Sequence, residues 1–350
     1  MKIYQRATFV LLSLISGLVF SYYYFLYTNE YPGGSYQKIA NYEAEKVFQT
    51  RLLVTSLANL FEPSVPLLRT MFQWAVPYPI DYETILQLLN ALFVSSLILM
   101  MPKFLHVLGY NINPFASFLI LLPVSWNYIA INGFFDGAGL YYPYDVPSLA
   151  FFALGVILHH QKKWFWFYPV FMLALLNRES ACFISLAGFL LAAIPSKTAA
   201  GFLNQNRALL LHILAQTLLW GASRIFLSYA FRGNPGEFFE APHSMIAFLS
   251  QIPSASPHWA MENPRWFLTI FAGIWIIPLL SFKHLNQPTK RLLWVGIIYL
   301  AALFFRSNMM EVRVYNELNV ILYATAISGA CGFQKSLSSS SKRLNKLPVS

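Results

Sequence analysis

Ten stretches of this chain run apolar for 15 to 21 residues at a time: 7–27, 83–101, 113–131, 146–161, 164–178, 180–194, 208–228, 266–283, 292–306 and 316–333. About 20 apolar residues carry a helix across the ~30 Å hydrocarbon core of a bilayer. Only helices and closed barrels satisfy their backbone groups there. A soluble domain carries about a quarter charged residues; this chain of 350 has 11%, with mean hydropathy +0.51. The reading is an all-α, polytopic transmembrane helical bundle of about ten spans. Residues 1–333 form a single integral membrane domain. Residues 334–350, with "KSLSSSSKRLNKLPVS", form a basic, disordered cytoplasmic tail.

The first run follows Lys2 and Arg6 and has no small-residue cleavage site before "TNEYPGG", so it reads as a retained span. Residues 45–62 place apolar positions at helical spacing around Arg51, and "HSMIAFLSQI" at 243–252 is amphipathic. These are the one or two interfacial helices expected beside the bundle. Cys182 and Cys331 both sit in apolar runs, so neither a disulfide framework nor a thiolate metal site is expected.

Basic residues orient the chain. With the N-terminus inside, Lys103, Lys162, Lys163, Lys197, Arg207, Lys283, Lys290 and Arg291 all fall in cytoplasmic segments. The net charge of +10 therefore meets anionic lipid and not nucleic acid. All fourteen Asp and Glu residues fall on the opposite side. Positive-inside sorting does not demand that, because acids contribute little to it.

Asn177, Arg178 and Glu179 interrupt the 31-residue apolar stretch from Trp164 to Ile194. One helix of that length would rise about 46 Å, too long for one crossing. Two helices of about 14 residues rise roughly 21 Å each, so the turn between them stops short of the far headgroups. Charged turns at such depth need protein or a watery cavity around them. The stretch predicts a cavity open to the outer side with Arg178 and Glu179 on its floor.

Other charged groups can share that cavity: Glu30 after the first run, Arg51, Asp136 and Asp145 in "NGFFDGAGLYYPYDVPSLA", and Arg306, Glu311, Arg313 and Glu317 in "RSNMMEVRVYNELN". Each has a plainer alternative. Asp145 precedes Val146-Pro147 and is also placed to cap a helix. Asp81 and Glu83 suit a first helical turn. Arg178 and Glu179 can fasten helices by pairing with other buried charges. His159-His160 lacks companions for a metal site, and His212 is expected to be a buried polar residue with a helix partner. Where function wins, carboxylates deprotonate a hydroxyl or hold a divalent cation, while arginines clamp a phosphate.

"GGSYQKIA", "VFQTRLLVTSLA", "YDVPSLAFFALGVIL", "LLNRESA" and "EVRVYNELNVIL" resemble blocks of a family of bacterial multipass membrane proteins. That family is loosely similar to the GT-C glycosyltransferases, which take sugars from polyprenyl phosphates outside the cytoplasmic membrane. Those enzymes carry an aspartate or acidic pair soon after the first span, and Glu30 stands near that place here. The resemblance implies transfer of a sugar from a polyprenyl-phosphate donor to an outer-face acceptor in envelope or polysaccharide synthesis. Glu30, Asp145 and Glu179 are the catalytic candidates. Arg51, Arg178 and Arg313 are the phosphate-binding candidates, supported by Asp136, Glu311 and Glu317. A transporter or flippase for a lipid-linked or anionic solute, and a non-catalytic membrane scaffold, are the alternatives.

Overall fold

A computed structural model describes residues 2–72, 74, 80–135, 139–237, 269–306 and 312–344; for 72, 132–135, 304–306, 312, 313 and 335–344 it describes the backbone alone. Nearly all of the described chain is helical. In order come α1 (Ile3–Tyr27), β1 (Asn29–Glu30), α2 (Tyr36–Ala40), α3 (Lys46–Gln49), α4 (Leu53–Phe61), α5 (Val65–Phe72) and α6 (Tyr82–Val107). A broken helix follows, made of a 3-10 stretch (Pro114–Ile120), α7 (Leu121–Ser125) and a π-helical stretch (Trp126–Phe135). Then come β2 (Leu140–Tyr141), α8 (Asp145–His160), α9 (Trp164–Asn177), α10 (Cys182–Ala192) and α11 (Ala199–Ala230). The last are α12 (Ile276–Leu280), α13 (Gln287–Arg306) and α14 (Asn316–Leu344).

Every expected span for which the chain is described contains helix. Among the described residues four helices are long and apolar enough to cross a membrane: Ile3–Tyr27, Tyr82–Val107, Pro114–Ile131 and Ala199–Ala230. Asp145–His160, Trp164–Asn177, Glu179–Ala192 and Ile270–Leu280 are apolar but shorter. The helix over 45–62 is broken into α3 and α4, which leaves Arg51 in the gap between them. Helix α14 continues to Leu344, through residues read from the sequence as tail. The amphipathic piece at 243–252 lies outside the described residues.

Helix α8 is the centre of the bundle, with α6, α9, α10 and α14 packed around it. On the outside, α1 lies along α6 through small residues at four-residue spacing, Ser13, Gly17 and Ser21, all buried. Lipid tails are as apolar as leucine, so helices there associate by close packing and hydrogen bonds rather than by escape from water. Both are present: Ser95 Oγ donates to the carbonyls of Ser13 and Ala91 at 3.0 and 2.7 Å, and Ser21 Oγ donates to the Gln87 carbonyl at 2.7 Å. A Cβ on Gly17 would overlap Ser95 Oγ and the Ala91 carbonyl oxygen. Gly17→Leu is therefore expected to destabilise the protein by about 1–3 kcal/mol through overpacking. Thermal unfolding in detergent checks this, and a wild-type midpoint would count against the packing described.

Two short devices hold the charged end of the bundle. Strands β1 and β2 pair in parallel, Asn29 beside Leu140 and Glu30 beside Tyr141, which fastens the chain after α1 to the chain before α8. Gln49, fully buried, accepts from the Ala44 N–H and donates to the Ile39 carbonyl, each at 3.0 Å, closing the loop between α2 and α3. Asn234 then donates to the carbonyls of Tyr42 and Ala44 at 2.9 and 2.8 Å, tying that loop to the end of α11.

Candidate functional site

The predicted hairpin is present. Helix α9 ends at Asn177, Arg178 is extended (φ −160°, ψ 147°), and a single 3-10 turn, Glu179–Ala181, leads into α10. A turn among apolar helices exposes carbonyls and N–H groups that need partners. Trp220 and Arg224 supply two of them, while Asn177 reaches out to a neighbouring carbonyl. Asn177 Nδ2 donates to the Tyr144 carbonyl at 2.9 Å, Trp220 Nε1 donates to the Glu179 carbonyl at 3.0 Å, and Arg224 Nη2 donates to the Leu175 carbonyl.

The charges of the turn are paired. Arg51 grips Glu179 with two bonds, Nε to Oε2 at 3.1 Å and Nη2 to Oε1 at 2.5 Å. Arg178 Nη1 donates to Asp145 Oδ1 at 2.8 Å. The Tyr144 ring lies between them, 4.5 Å from the Arg51 guanidinium carbon and 6.0 Å from that of Arg178, within cation–π range. The two pairs differ in access. Side-chain exposure is 7% and 2% for Arg178 and Asp145, against 10% and 42% for Arg51 and Glu179. Asp145 opens α8 but makes no side-chain cap; its carboxylate turns to Arg178 instead.

Behind the pairs a polar network runs into the bundle. Asn316 Nδ2 donates to Ser148 Oγ at 3.0 Å and to the Asp145 carbonyl at 3.2 Å, while its Oδ1 accepts from Tyr128. Glu317, 2% exposed, accepts from Ser180 on one oxygen and from the Tyr299 hydroxyl at 2.5 Å on the other. Asn319 Nδ2 donates to the Asn316 carbonyl, and Asn127 Nδ2 donates to Asn319 Oδ1, at 3.0 and 3.1 Å. The Phe271 N–H then donates to Asn127 Oδ1 at 2.8 Å. Phe271 and Ala272 are left-handed at φ 56° and 54°, a conformation that costs non-glycine residues of order 1–3 kcal/mol and needs its surroundings to hold it. Asn127→Leu removes the acceptor and is expected to cost a further ~1–3 kcal/mol, with faster amide exchange at Phe271. Unchanged exchange there would show that Asn127 does not hold the kink.

The cavity that touches Arg178 measures about 10 Å³ and is lined by Ser148, Asn177, Arg178, Ser180 and Glu317 with Phe151, Phe152 and Ile184. That admits about one water molecule. Arg51 and Asp145, drawn in as partners, occupy the space beside the turn.

Glu30 stands apart from these pairs. Among the described residues the ion pairs are Arg51–Glu179 and Arg178–Asp145, and Glu30 is in neither. It is half-buried beside Tyr36, Tyr82 and Glu83, with the Tyr36 and Tyr82 rings stacked at 5.1 Å. Its Oε1 is buried with no hydrogen-bond partner. Burial pushes its carboxyl up to about 7; the Tyr36 backbone bond opposes this and the Glu83 charge adds to it.

The structure thus brings together Arg51, Asp145, Arg178, Glu179 and Glu317, and places Glu30 beside Tyr36, Tyr82 and Glu83, in neither ion pair. Asp136 and Glu311 lie outside the described residues, and of Arg313 only the backbone is described. Asp81 caps α6, accepting from the Thr84 N–H at 3.1 Å. His212 has the expected partner, the Tyr168 hydroxyl at 2.8 Å. Among the described residues no three of His, Cys, Asp and Glu gather closely enough to hold a metal ion.

Contributors not foreseen include Arg224, Tyr144, Asn316 and Tyr299. Arg224 had one available signal, an arginine closing an apolar run on α11. Comparison with protein-family models, curated proteins and solved structures finds no match for this chain.

Proposed function

We propose that this chain is a multipass transferase of the bacterial cytoplasmic membrane, similar to GT-C glycosyltransferases. It has about ten spans and both termini on the cytoplasmic side. It moves a sugar from a polyprenyl-phosphate donor to an acceptor at the outer face. The observation that carries the reading is Glu30: a half-buried carboxyl just past the first helix, one oxygen without a partner, titrating near 7. A general base works best when its pKa lies near the working pH, and a structural carboxylate would be expected to be paired. Glu30 takes the acceptor hydroxyl's proton as that oxygen attacks the sugar. The polyprenyl phosphate leaves with the bonding electrons, its charge met by arginine.

Exposure separates the two arginine pairs within this scheme. Glu179 is accessible enough for a phosphate to displace it from Arg51, whereas Asp145 is sealed against Arg178. Arg51 is then the phosphate-facing cation, and Arg178–Asp145 positions the turn beside it. Transfer from a radiolabelled polyprenyl-phosphate sugar, by purified wild type and Glu30→Gln, tests the assignment. Full activity in the variant would sink it.

The pairing of both arginines favours a second reading, a scaffold whose buried charges fasten helices and which turns nothing over. It predicts no product from any lipid-linked donor, together with loss of partner capture when Arg51 and Glu179 are both neutralised.

A further inference from the structure

Helix α11 carries Arg224 near one end of its apolar run. Arg207 and Arg224 bracket sixteen residues, 208–223, without an Asp, Glu, Lys or Arg. The 17 steps between the two arginines rise about 25 Å at ~1.5 Å each, close to the ~30 Å of hydrocarbon. With Arg207 at one interface, Arg224 stands at the other, where lipid phosphates lie. The helix is also the least covered of the long apolar ones: 6% of its most apolar window is buried. Leu218, Ile225 and Phe226 remain exposed around Arg224, a surface that suits acyl chains.

The guanidinium itself is unfinished. Nη2 donates to the Leu175 carbonyl at the end of α9, while Nε is buried without an acceptor. Among the described residues Arg224 forms no ion pair, although it lies close enough to Glu179 for their charges to interact. Arg178 cancels Asp145, and Glu317 is held by Ser180 and Tyr299. Glu179 spends both of its oxygens on Arg51, so neither bonds Arg224. A phosphate oxygen bonded to the guanidinium would give Arg224 the charge-assisted partner it lacks among the described residues. Just beyond the helix, Arg232 lies 4.4 Å over the exposed Tyr229 ring, adding a second positive group near the headgroups.

We propose that Arg224 binds the phosphate of an anionic lipid, whose acyl chains lie along the exposed face of α11. The inference rests on α11 being a span. Under the transferase reading, Arg224 is also where the lipid-borne donor docks.

The test uses full-length protein in detergent, titrated with phosphatidylglycerol, phosphatidylcholine or inorganic phosphate, with binding read by native mass spectrometry and thermal shift. Phosphatidylglycerol is expected to bind and to raise the melting temperature, while the other two do neither. Arg224→Gln should weaken phosphatidylglycerol binding roughly tenfold or more, the loss of one charge-assisted contact, and Arg224→Lys should recover part of it. Should Arg224→Gln not fold, Ser228→Glu, one helical turn further along the same face, places a carboxylate on the guanidinium and should weaken binding likewise. Equal affinity in wild type and the variant that folds overturns the proposal, as does a matching response to inorganic phosphate. Lipid binding is read without any transfer reaction, so failure here leaves the Glu30 assignment standing, and the reverse holds too.

Discussion

Arg178→Ala leaves Asp145 as a carboxylate 2% exposed with its cation gone, and is expected to destabilise the fold by about 3–5 kcal/mol. Asn316 bonds chiefly to the Asp145 carbonyl and to Ser148, so it does not replace the lost charge. Removing both charges behaves differently. A buried ion pair gains little over well-packed apolar groups of similar volume, so Arg178→Met combined with Asp145→Leu should recover most of the loss. Arg51→Ala is the comparison case. Its partner Glu179 is 42% exposed and can be hydrated, so the loss is expected to be nearer ~1 kcal/mol. Denaturant midpoints in micelles give the ranking. If Arg178→Ala unfolds with Arg51→Ala, the sealed pair does not hold the turn.

Glu30→Gln is expected to lower transfer by roughly 10²–10⁴-fold, the usual contribution of a positioned base. A base must be deprotonated, so the wild-type rate should fall about tenfold per pH unit below about 7 and level off above it. Glu83→Gln removes a neighbouring negative charge that helps raise the Glu30 carboxyl, so the acid limb should move to lower pH. A limb that stays in place in Glu83→Gln would assign the titration to another group.

Stability runs the opposite way. The folded state holds the Glu30 proton more tightly than the unfolded chain, whose carboxyl titrates near 4.5. That stabilisation is complete below about 4.5 and is lost as pH rises through about 7. Under the transferase reading, turnover is thus expected to be fastest where Glu30 contributes least to stability.

Helix length carried far in the sequence. The stretch from Trp164 to Ile194 was too long for one crossing, and the arithmetic led to the hairpin and its charged turn. The partners were harder to read. Asp145 lies 33 residues before Arg178, and Arg51 lies 128 before Glu179; helical periodicity relates near neighbours and says nothing about such pairs. The run over 45–62 looked continuous because its apolar spacing hardly changes, yet the chain breaks at Arg51, where the guanidinium reaches Glu179 and Tyr144. A charged turn requires either water or counter-charges, and composition alone does not say which; Arg51 and Asp145 supply counter-charges here. Arg224 escaped notice because a single cation ending an apolar run also fits a simple interface anchor.

The Arg51–Glu179 contact closes across 128 positions of chain. A ribosome adding about 5–20 residues per second needs roughly 6–25 s to cover that distance. For that interval the nascent chain carries an arginine whose counter-charge has not been made. The segment after the first helix must wait, with whatever holds or shields it, until the hairpin has been made. A chain stalled between those two points would display that waiting segment, making it a natural target for quality-control proteases.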